Sequence, residues 1–386
     1  MGGVSMETYK LSDLCVILDA KRKPLSALQR AKKQGIYPYY GAQGIIDHLD
    51  DYLLDGEYLL VAEDGANLET RNQPIANIAK GKIWVNNHAH VLGSNGKCPL
   101  NLLGFILNNM NISPYVTGCA QPKLNQENLR NIEIELPSHI DSIASILSSL
   151  DRKIELNNKI NADLEEMAQA IFKNWFVDFE PFKDGKFVDS ELGMIPEGWK
   201  VGRLGDITKN KSAKVKERND VKVLSPVTTG ELVLSEEYFT KQVFSSSIAK
   251  YKIVTKGDFA YNPARVNIGS LGRNEFDFDG CVSPVYVVFS VLDGYENYFD
   301  LFRKTDFFKD SVASLAIGGV RQSLSYDDLS SIVVIIPSEN AVEEFNNLYN
   351  QMKKTIKANK LENSRLSLLR DTLLPRLMSG ELEVPE

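Results

Sequence analysis

Apolar residues recur at intervals of three and four along two long stretches of the chain. In the first stretch they are Ile143, Leu147, Leu150, Ile154, Leu164 and Ile171, and in the second they are Phe345, Leu348, Met352, Leu366, Leu369 and Leu373. This spacing is typical of the a and d positions of a coiled coil, on one face of a helix. We therefore predict two long helices. About 35 residues at ~1.5 Å per residue would form a rod of about 50 Å.

The segment that leads into each stretch occurs twice, with the two copies 200 residues apart. The first copy contains Leu124, Leu129, Ile132, Ile134, Pro137 and Ser138, and the second contains Leu324, Leu329, Ile332, Val334, Pro337 and Ser338. The alternating apolar residues predict a strand, and Ser138 and Ser338 are predicted to cap the helices that follow. In the first copy Asp141 completes a capping box. The sequence thus indicates an internal, pseudo-twofold repeat.

Asparagine falls inside both apolar stretches at matching positions. The aligned residues are Ile154, Asn157, Asn161 and Leu164 in the first stretch and, 202 residues later, Ile356, Asn359, Asn363 and Leu366 in the second. A polar residue in an apolar helix seam costs stability, but it fixes the register of the helices and the choice of partner. Two alternatives are open: the asparagines lie between the two helices, or they face solvent.

The two halves differ between their openings and the repeated segment. The openings Tyr9–Leu11 and Trp199–Val201 align 190 residues apart, with Leu14 matching Leu204. Short apolar runs then predict the strands of a mixed α/β domain in each half. These runs are Tyr58–Ala62, Ile83–Val85, Tyr251–Val254 and Val285–Phe289. One scaffold with two different inserts of domain size would present two different binding surfaces.

These patterns predict an α+β chain in which a pair of long helices separates two mixed α/β domains. The predicted segments are a first domain over 1–137, a central helix over 138–177, a linker over 178–198, a second domain over 199–337, a C-terminal helix over 338–378 and a tail over 379–386. Proline and glycine mark the linker. Its aromatic residues Phe179 and Phe182 are expected to pack on the helices.

The formal net charge of −7 argues against a chain covered with nucleic-acid-binding surface, because lysine and arginine make phosphate contacts. Basic residues nevertheless cluster near the start of each half. They are Lys21, Arg22, Lys23, Arg30, Lys32 and Lys33 in the first half, and Lys209, Lys211, Lys214, Lys216 and Arg218 in the second. Either cluster alone is equally consistent with an exposed solvating surface. Their recurrence favours a functional role.

The composition, 43% hydrophobic and 25% charged over 386 residues, is that of a soluble globular protein with two or three domains. The cysteines are far apart, which argues against a disulfide framework or structural zinc and favours a reducing cytoplasm; they are Cys15, Cys98, Cys119 and Cys281. The longest aliphatic run, Ile332–Ile336, is too short to span a membrane, and we recognise no signal segment. We interpret Met1–Ser5 as a dispensable extension.

No set of residues in the sequence predicts catalysis or metal binding. Gly93–Cys98 resembles a phosphate loop only in part, because its glycine spacing is too short and a cysteine replaces Ser or Thr. Tyr261–Ala264 lacks the second proline and the aromatic residue of adenine methyltransferase sites. His88 and His90 lack a further ligand pattern. Glu63-Asp64 lacks the third acidic residue and the lysine that a metal-dependent nuclease would place nearby.

The remaining polar residues suit recognition by contact. Asparagine and glutamine can bond adenine edges, arginine and lysine can bond guanine, and the glycines of Tyr37–Gly44 allow close backbone approach. The DNA-binding candidates are Lys21, Arg22, Tyr39, Tyr40, Gln43, Asn87, His88, Gln121 and Lys123 in the first half, and Lys209, Lys211, Asn262, Arg265, Asn267, Arg321 and Gln322 in the second. Lys123 is the candidate for a phosphate contact. Paired half-sites ~34–36 Å apart would explain a long spacer.

Five stretches resemble one known family. They are Tyr39–Asp47 (YYGAQGIID), Gly56–Ala66 (GEYLLVAEDGA), Leu164–Phe172 (LEEMAQAIF), Glu191–Trp199 (ELGMIPEGW) and Leu368–Leu382 (LLRDTLLPRLMSGEL). Two variable domains, each followed by a long helix, complete the likeness. Essentially the whole chain resembles the specificity (S) subunit of type I restriction-modification systems.

The resemblance implies a chain without an active site of its own. It implies two target-recognition domains that each read one half of an asymmetric, gapped sequence in double-stranded DNA, and an antiparallel coiled-coil helix pair that sets the gap. It also implies two methyltransferase (M) subunits, which use S-adenosylmethionine to methylate adenine at N6, and two restriction (R) subunits, which use ATP and Mg²⁺. No cofactor would bind this chain directly, and no membrane is involved. The residues expected in the helix pair and in subunit docking are Ile154, Asn157, Leu164, Met167, Ile171, Asn359, Leu366, Leu369 and Leu373.

Two other classes of function stay open. A stand-alone DNA-binding regulator or decoy would use the same two domains without enzyme partners. A self-contained DNA modification enzyme is disfavoured, because no glycine-rich cofactor loop is recognisable.

Overall fold

The structure, a computed structural model, describes residues 6–118, 121–137, 139–239, 243–315 and 323–382. The chain divides into two compact units. Unit 1 consists of Met1–Asn158 and Asn359–Glu386, and unit 2 consists of Lys159–Ala358. Each unit combines strands and short helices with part of each long helix. The predicted α+β class with two long helices is therefore confirmed.

Unit 1 is built around a six-stranded sheet. Its strands are β1 (Met6–Lys10), β2 (Cys15–Ile17), β3 (Gln34–Gly41), β4 (Gly44–Leu49), β5 (Leu54–Ala62), β6 (Ala76–Val85), β7 (Ala89–Ser94) and β8 (Glu133–Pro137). Its helices are α1 (Leu11–Leu14), α2 (Ala27–Ala31), α3 (Asn67–Thr70), α4 (Leu100–Asn109) and α5 (Gln126–Arg130), and the long α6 (Ile140–Phe176) begins here. The sheet order is β2-β7-β5-β6-β3-β4, and β1 pairs with β8. Strands β3 and β6 are parallel, whereas the other neighbours are antiparallel.

The C-terminal part of strand β5, Leu59–Ala62, is buried on both faces of this sheet. Successive side chains of a strand point to opposite faces. Leu59 and Val61 therefore join one apolar cluster, which includes α4, while Leu60 joins a second cluster with Ile83 and Val91. This explains why Tyr58–Ala62 forms an uninterrupted apolar run in the sequence.

Unit 2 contains two four-stranded sheets, in the orders β12-β19-β16-β17 and β14-β13-β18-β15, together with the pairs β9-β10 and β11-β20. Its strands are β9 (Phe187–Val188), β10 (Ile195–Pro196), β11 (Lys200–Arg203), β12 (Thr208–Lys211), β13 (Lys222–Pro226), β14 (Leu232–Leu234), β15 (Lys252–Val254), β16 (Phe259–Tyr261), β17 (Leu271–Arg273), β18 (Gly280–Val282), β19 (Val287–Val291) and β20 (Val333–Ile336). Its helices are α7 (Leu204–Ile207), α8 (Ser235–Tyr238), α9 (Glu296–Phe302), α10 (Asp306–Leu315), α11 (Tyr326–Ser330) and the start of α12 (Glu339–Met378). The four apolar runs singled out in the sequence fall on β5, β6, β15 and β19.

Aromatic rings hold the long helices in the core of unit 2. Phe172 on α6 lies 5.5 Å from Tyr298 on α9, and Phe176 lies 5.0 Å from Phe345 on α12, measured between ring centroids. The segment after α6 packs on the same cluster, since Phe182 lies 6.0 Å from Trp175 and 5.0 Å from Trp199. The expected packing of the linker aromatics is thus observed.

Both units open with the same strand and turn. In unit 1 the Asp13 carboxylate accepts the Lys10 N–H at 3.2 Å, and in unit 2 the Asp206 carboxylate accepts the Arg203 N–H at 2.7 Å. Lys10 is thus equivalent to Arg203, 193 residues later, so the sequence alignment of the openings at 190 residues was wrong by three. The aspartate that closes the turn shows which residues of the two openings are equivalent, whereas the sequence alignment relied on matching apolar residues.

The long helices run antiparallel within unit 1, because residues early in α6 contact residues late in α12. Arg370 bonds Asp151 at 2.9 Å, and the buried Asn157 amide donates to Glu362 at 2.7 Å and to Asn363 at 2.9 Å. Of the two alternatives for Asn157, the structure therefore favours the position between the helices, where such a polar contact fixes their register.

The structure describes only one of the two predicted helix caps. Ser338 accepts the Ala341 N–H at 3.4 Å, as an N-cap of α12 does, whereas Ser138 lies outside the described residues.

Cys15, Cys98 and Cys281 are buried free thiols, and Cys119 is not among the described residues. No helix in the described ranges is long and apolar enough to cross a membrane.

Replacing Phe172 by alanine tests the aromatic core of unit 2. Loss of this buried ring should lower the free energy of unfolding by about 3–5 kcal/mol, because a cavity remains among its neighbours. The measurement is the urea midpoint of the full-length chain. Met167→Ala on the same helix is the matched control, since Met167 is 50% exposed and should shift the midpoint little. Equal shifts for both variants would contradict the assigned packing.

Candidate nucleic-acid interface

Five segments of unit 1 meet at one surface, which we call loop edge 1: residues 19–23, 41–44, 63–64, 86–90 and 121–124. Hydrogen bonds between backbone groups in or next to these segments hold them together; beside residues 41–44, the Asn86 N–H donates to Tyr40 O at 3.1 Å. The Lys23 N–H donates to Val85 O at 3.0 Å, and the Glu63 N–H donates to His88 O at 2.9 Å. The Leu124 N–H then donates to Glu63 O at 2.8 Å. Residues far apart in sequence are thereby held in one place.

Arg22 and Glu63 form the centre of loop edge 1. The Arg22 guanidinium bonds the Glu63 carboxylate at 2.6 Å and lies 3.3 Å from the Asp19 carboxylate. Lys123 lies 3.2 Å from the other Glu63 oxygen, and its side chain is 52% exposed. Burial alone would raise the pKa of Glu63, but the neighbouring Arg22, His90 and Lys123 lower it below its usual value. Glu63 therefore stays ionised between its cations.

A buried histidine completes the cluster. His90 Nδ1 lies 2.6 Å from Asp19 Oδ2, and Nε2 lies 2.7 Å from the carbonyl oxygen of Leu124. Asp19 also accepts the Val91 N–H at 2.9 Å and the Gln126 side-chain amide at 3.2 Å. Burial raises the pKa of Asp19, yet the bonds and charges of His90, Val91 and Arg22 outweigh it, so the pKa is lowered overall.

Asp19, Glu63 and His90 bring their ligand atoms within 4.8 Å of one another, as a metal site requires. The sequence analysis found neither a third acidic residue nor a lysine beside Glu63, and the structure supplies Asp19 and Lys123 from distant positions. The Arg22 guanidinium, however, bonds Glu63 and lies close to Asp19. A divalent cation would have to displace it against charge repulsion, so the arrangement fits an internal ion-pair network better than a metal centre.

Most of the predicted residues of unit 1 lie exposed on loop edge 1; these are Lys21, Gln43, Asn87, His88, Gln121 and Lys123. His88 Nδ1 lies 2.7 Å from Asp64. Tyr40 is half-buried, and burial raises its pKa. Tyr39 is buried, its hydroxyl accepts the Leu25 N–H at 2.9 Å, and its side chain is therefore part of the core. Arg22 is held by ion pairs rather than presented to solvent.

Unit 2 repeats the backbone tether of loop edge 1. The Leu324 N–H donates to Pro263 O at 3.1 Å, and both residues lie 200 positions after their counterparts Leu124 and Glu63. The Leu324 carbonyl accepts a hydrogen bond from the Tyr261 hydroxyl at 3.2 Å, in place of His90. Burial raises the pKa of Tyr261, so this donor is neutral. We call residues 261–268 and 323–324 loop edge 2.

The predicted residues of unit 2 divide into three groups. Arg265 and Asn267 are exposed on loop edge 2, and the Asn262 side chain accepts the Ala264 N–H at 3.1 Å within it. Lys209 and Lys211 lie apart on strand β12, where Lys211 bonds the buried Asp258 at 2.6 Å. Arg321 and Gln322 lie outside the described residues.

The residues predicted to hold the helix pair or a docking subunit also differ in exposure. Asn157 is buried, and Met167 and Leu369 are exposed. The others are half-buried within their own units; they are Ile154, Leu164, Ile171, Asn359, Leu366 and Leu373. Leu164 and Ile171 pack against the aromatic core of unit 2.

Sequence reasoning missed the joint role of Asp19, Glu63 and His90. Glu63 and His90 were considered singly, and Asp19 was not considered. Their partners lie 41 to 71 positions away along the chain, so no local spacing reveals the cluster. The only available signal was the repeated Leu124 and Leu324, which marks where the two tethers are anchored.

Comparison with known proteins gives relatives that are type I restriction enzyme specificity subunits. Residues 3–166 match the family described as type I restriction modification DNA specificity domain. The type I restriction enzyme MjaIX specificity subunit of Methanocaldococcus jannaschii is 31% identical over 287 residues, which cover 70% of this chain and 65% of that protein. A putative type I restriction enzyme specificity subunit of Haemophilus influenzae is 28% identical over 342 residues, covering 87% of this chain and 84% of that protein. This chain thus spans slightly less than two thirds of the archaeal relative.

A solved structure shares the fold. The crystal structure of a type I restriction-modification system S subunit from M. genitalium matches 100% of this chain and 98% of that chain, with a TM-score of 0.56 and 15% sequence identity. At this identity the likeness concerns the fold alone.

Proposed function

Because the chain belongs to the family of type I restriction-modification specificity subunits, we propose that it recognises a bipartite, gapped target in double-stranded DNA. Each unit would read one half of the target through its own loop edge. The observation that supports this most directly is the repeated tether, in which Leu124 and Leu324 are bound alike while the exposed residues around them differ. The same support with different side chains suits two different half-sites.

The exposed residues of the loop edges have suitable chemistry for DNA. On loop edge 1, Gln43 and Asn87 offer amides for base edges, and Lys21 and Lys123 offer cations for phosphates. On loop edge 2, Arg265 and Asn267 offer the same two kinds of group. A net charge of −7 is compatible with this role if partner subunits share the enclosure of the DNA.

The catalytic steps would belong to partner subunits. We propose that two M subunits methylate adenine at N6 with S-adenosylmethionine, and that two R subunits cleave DNA with ATP and Mg²⁺. Docking of the M subunits on α6 and α12 is supported by exposed apolar side chains on both helices, including Met167 and Leu369. The proposal that the helix pair sets the gap rests on the family resemblance.

Lys123→Ala tests the phosphate contact at loop edge 1. If Lys123 contacts a phosphate, the variant should bind a duplex of random sequence about tenfold more weakly and lower the slope of log affinity against log salt by about 1. Fluorescence anisotropy with the full-length chain measures both. Lys80→Ala is the matched control, because Lys80 also pairs with one glutamate, is 61% exposed and lies outside loop edge 1. Equal affinities for the two variants would refute the contact.

Met167→Asp tests the docking of M subunits on α6. Since Met167 is 50% exposed, the charge should abolish copurification with the cognate M subunit while leaving the urea midpoint near that of the native chain. Leu28→Asp, at an exposed apolar residue of α2, should copurify normally. Leu164 and Ile171 are less suitable, because their substitution would also disturb the core of unit 2. Undiminished copurification of Met167→Asp would contradict this docking surface.

A further inference from the structure

The two ring nitrogens of His90 both face oxygen atoms. Nε2 lies 2.7 Å from the Leu124 carbonyl oxygen, which can only accept a hydrogen bond. Nε2 must therefore carry a proton. Nδ1 lies 2.6 Å from Asp19 Oδ2, and the ring is fully buried, so no water can supply an alternative partner.

The state of Asp19 determines what Nδ1 carries. Asp19 accepts hydrogen bonds from the Val91 N–H and from the Gln126 amide, and it lies 3.3 Å from the Arg22 guanidinium. These donors favour the ionised carboxylate, which can only accept. Nδ1 must then donate to it, and His90 carries a proton on both nitrogens. The geometry thus points to an imidazolium cation in the interior of unit 1.

The charges around the ring are compatible with a buried cation. Two carboxylates face it: Asp19 in direct contact, and Glu63 with an oxygen 3.8 Å from Nδ1. Two further cations contact these carboxylates: Arg22 lies close to both, and Lys123 lies close to Glu63. A buried charge is tolerated when it is paired and hydrogen-bonded in this way. The five groups form one network of three cations and two carboxylates, so the loss of one group changes the contacts of the others.

We propose that the charged His90 is a positioning residue for DNA recognition by unit 1, which rests on the proposed function of loop edge 1. Its Nε2 proton fixes the Leu124 carbonyl, and its charge keeps Asp19 and Glu63 in place. Glu63 in turn holds Lys123, and Leu124 is the residue directly after Lys123. His90 itself touches no DNA; it sets where Lys123 is presented.

Unit 2 supplies an internal comparison. At the equivalent place the Leu324 carbonyl is held by the hydroxyl of Tyr261, a neutral donor. Among the described residues, a buried charged group holds the tether of loop edge 1, whereas a neutral hydroxyl holds that of loop edge 2. Tyr261→Phe removes the corresponding hydrogen bond in unit 2 without touching the charges of unit 1, and it is the matched control for His90 variants.

The protonation of His90 is measured directly by NMR of the full-length chain labelled with ¹⁵N-histidine. The chain has four histidines, and His48 and His139 are exposed references. His90→Gln identifies the signals of His90 by their loss. The proposal requires protons on both His90 nitrogens at neutral pH. A neutral His90 ring, or a stoichiometric divalent metal that is lost in His90→Gln, would overturn it.

The positioning role is measured by DNA binding to a duplex of random sequence. His90→Gln should weaken binding about tenfold and lower the salt slope by about 1, and adding Lys123→Ala to it should change little, because the two residues act through one contact. Adding Asp19→Asn to His90→Gln removes the buried carboxylate that has lost its direct contact with the ring, and it should restore most of the affinity. A role in packing alone predicts the opposite, a further loss.

The outcomes separate this proposal from the proposed function. If Lys123→Ala weakens binding while His90→Gln does not, the positioning role is wrong and DNA contact at loop edge 1 stands. If neither variant changes the affinity or the salt slope, the proposed contact at loop edge 1 fails as well, whatever charge NMR finds on His90. In the Tyr261→Phe background, Lys123→Ala must still weaken DNA binding and lower the salt slope. If Lys123→Ala has no such effect in that background, the proposal is also contradicted.

Discussion

The fold depends on a backbone hydrogen bond that has an equivalent in each of the two units. The Leu124 N–H donates to Glu63 O, and the Leu324 N–H donates to Pro263 O. In each case the bond joins the segment that is repeated in sequence to the end of a strand whose sequence is not repeated. Leu124 and Leu324 are fully buried, so an unmade bond would leave polar backbone groups without water. The bond thus lets one scaffold carry two different inserts in the same way.

The two units secure this tether with different chemistry. Unit 1 uses His90 together with two carboxylates and two further cations, and unit 2 uses the neutral hydroxyl of Tyr261. An ion-pair network constrains the directions and distances of several side chains at once, but it is costly when incomplete. A single hydroxyl constrains one carbonyl. Among the described residues, the tether of loop edge 1 is therefore held by several charged groups, and that of loop edge 2 by one hydroxyl.

Local patterns in the sequence predicted the long helices, the repeated strand and the Ser338 cap, because these features depend on residues three to eight positions apart. The offset between the two openings was wrong by three residues, since the turn that sets it depends on Asp13 and Asp206 rather than on apolar matches. Tyr39 was predicted to contact DNA from its residue type and its position in the sequence, yet its ring lies in the core. The His90 network was not predictable, because pairing between β5 and β7 is what brings Glu63 and His90 together.

The most direct test of the central claim is methylated-base sequencing of genomic DNA from a methylation-free host. The host would express the cognate M subunit either alone or together with this chain. The account predicts N6-methyladenine within one gapped, two-part motif, and only when this chain is present. Methylation that is the same without the chain, or that falls on a continuous motif, would contradict it. Absence of methylation although the two proteins copurify would also contradict it and would favour a regulator or decoy.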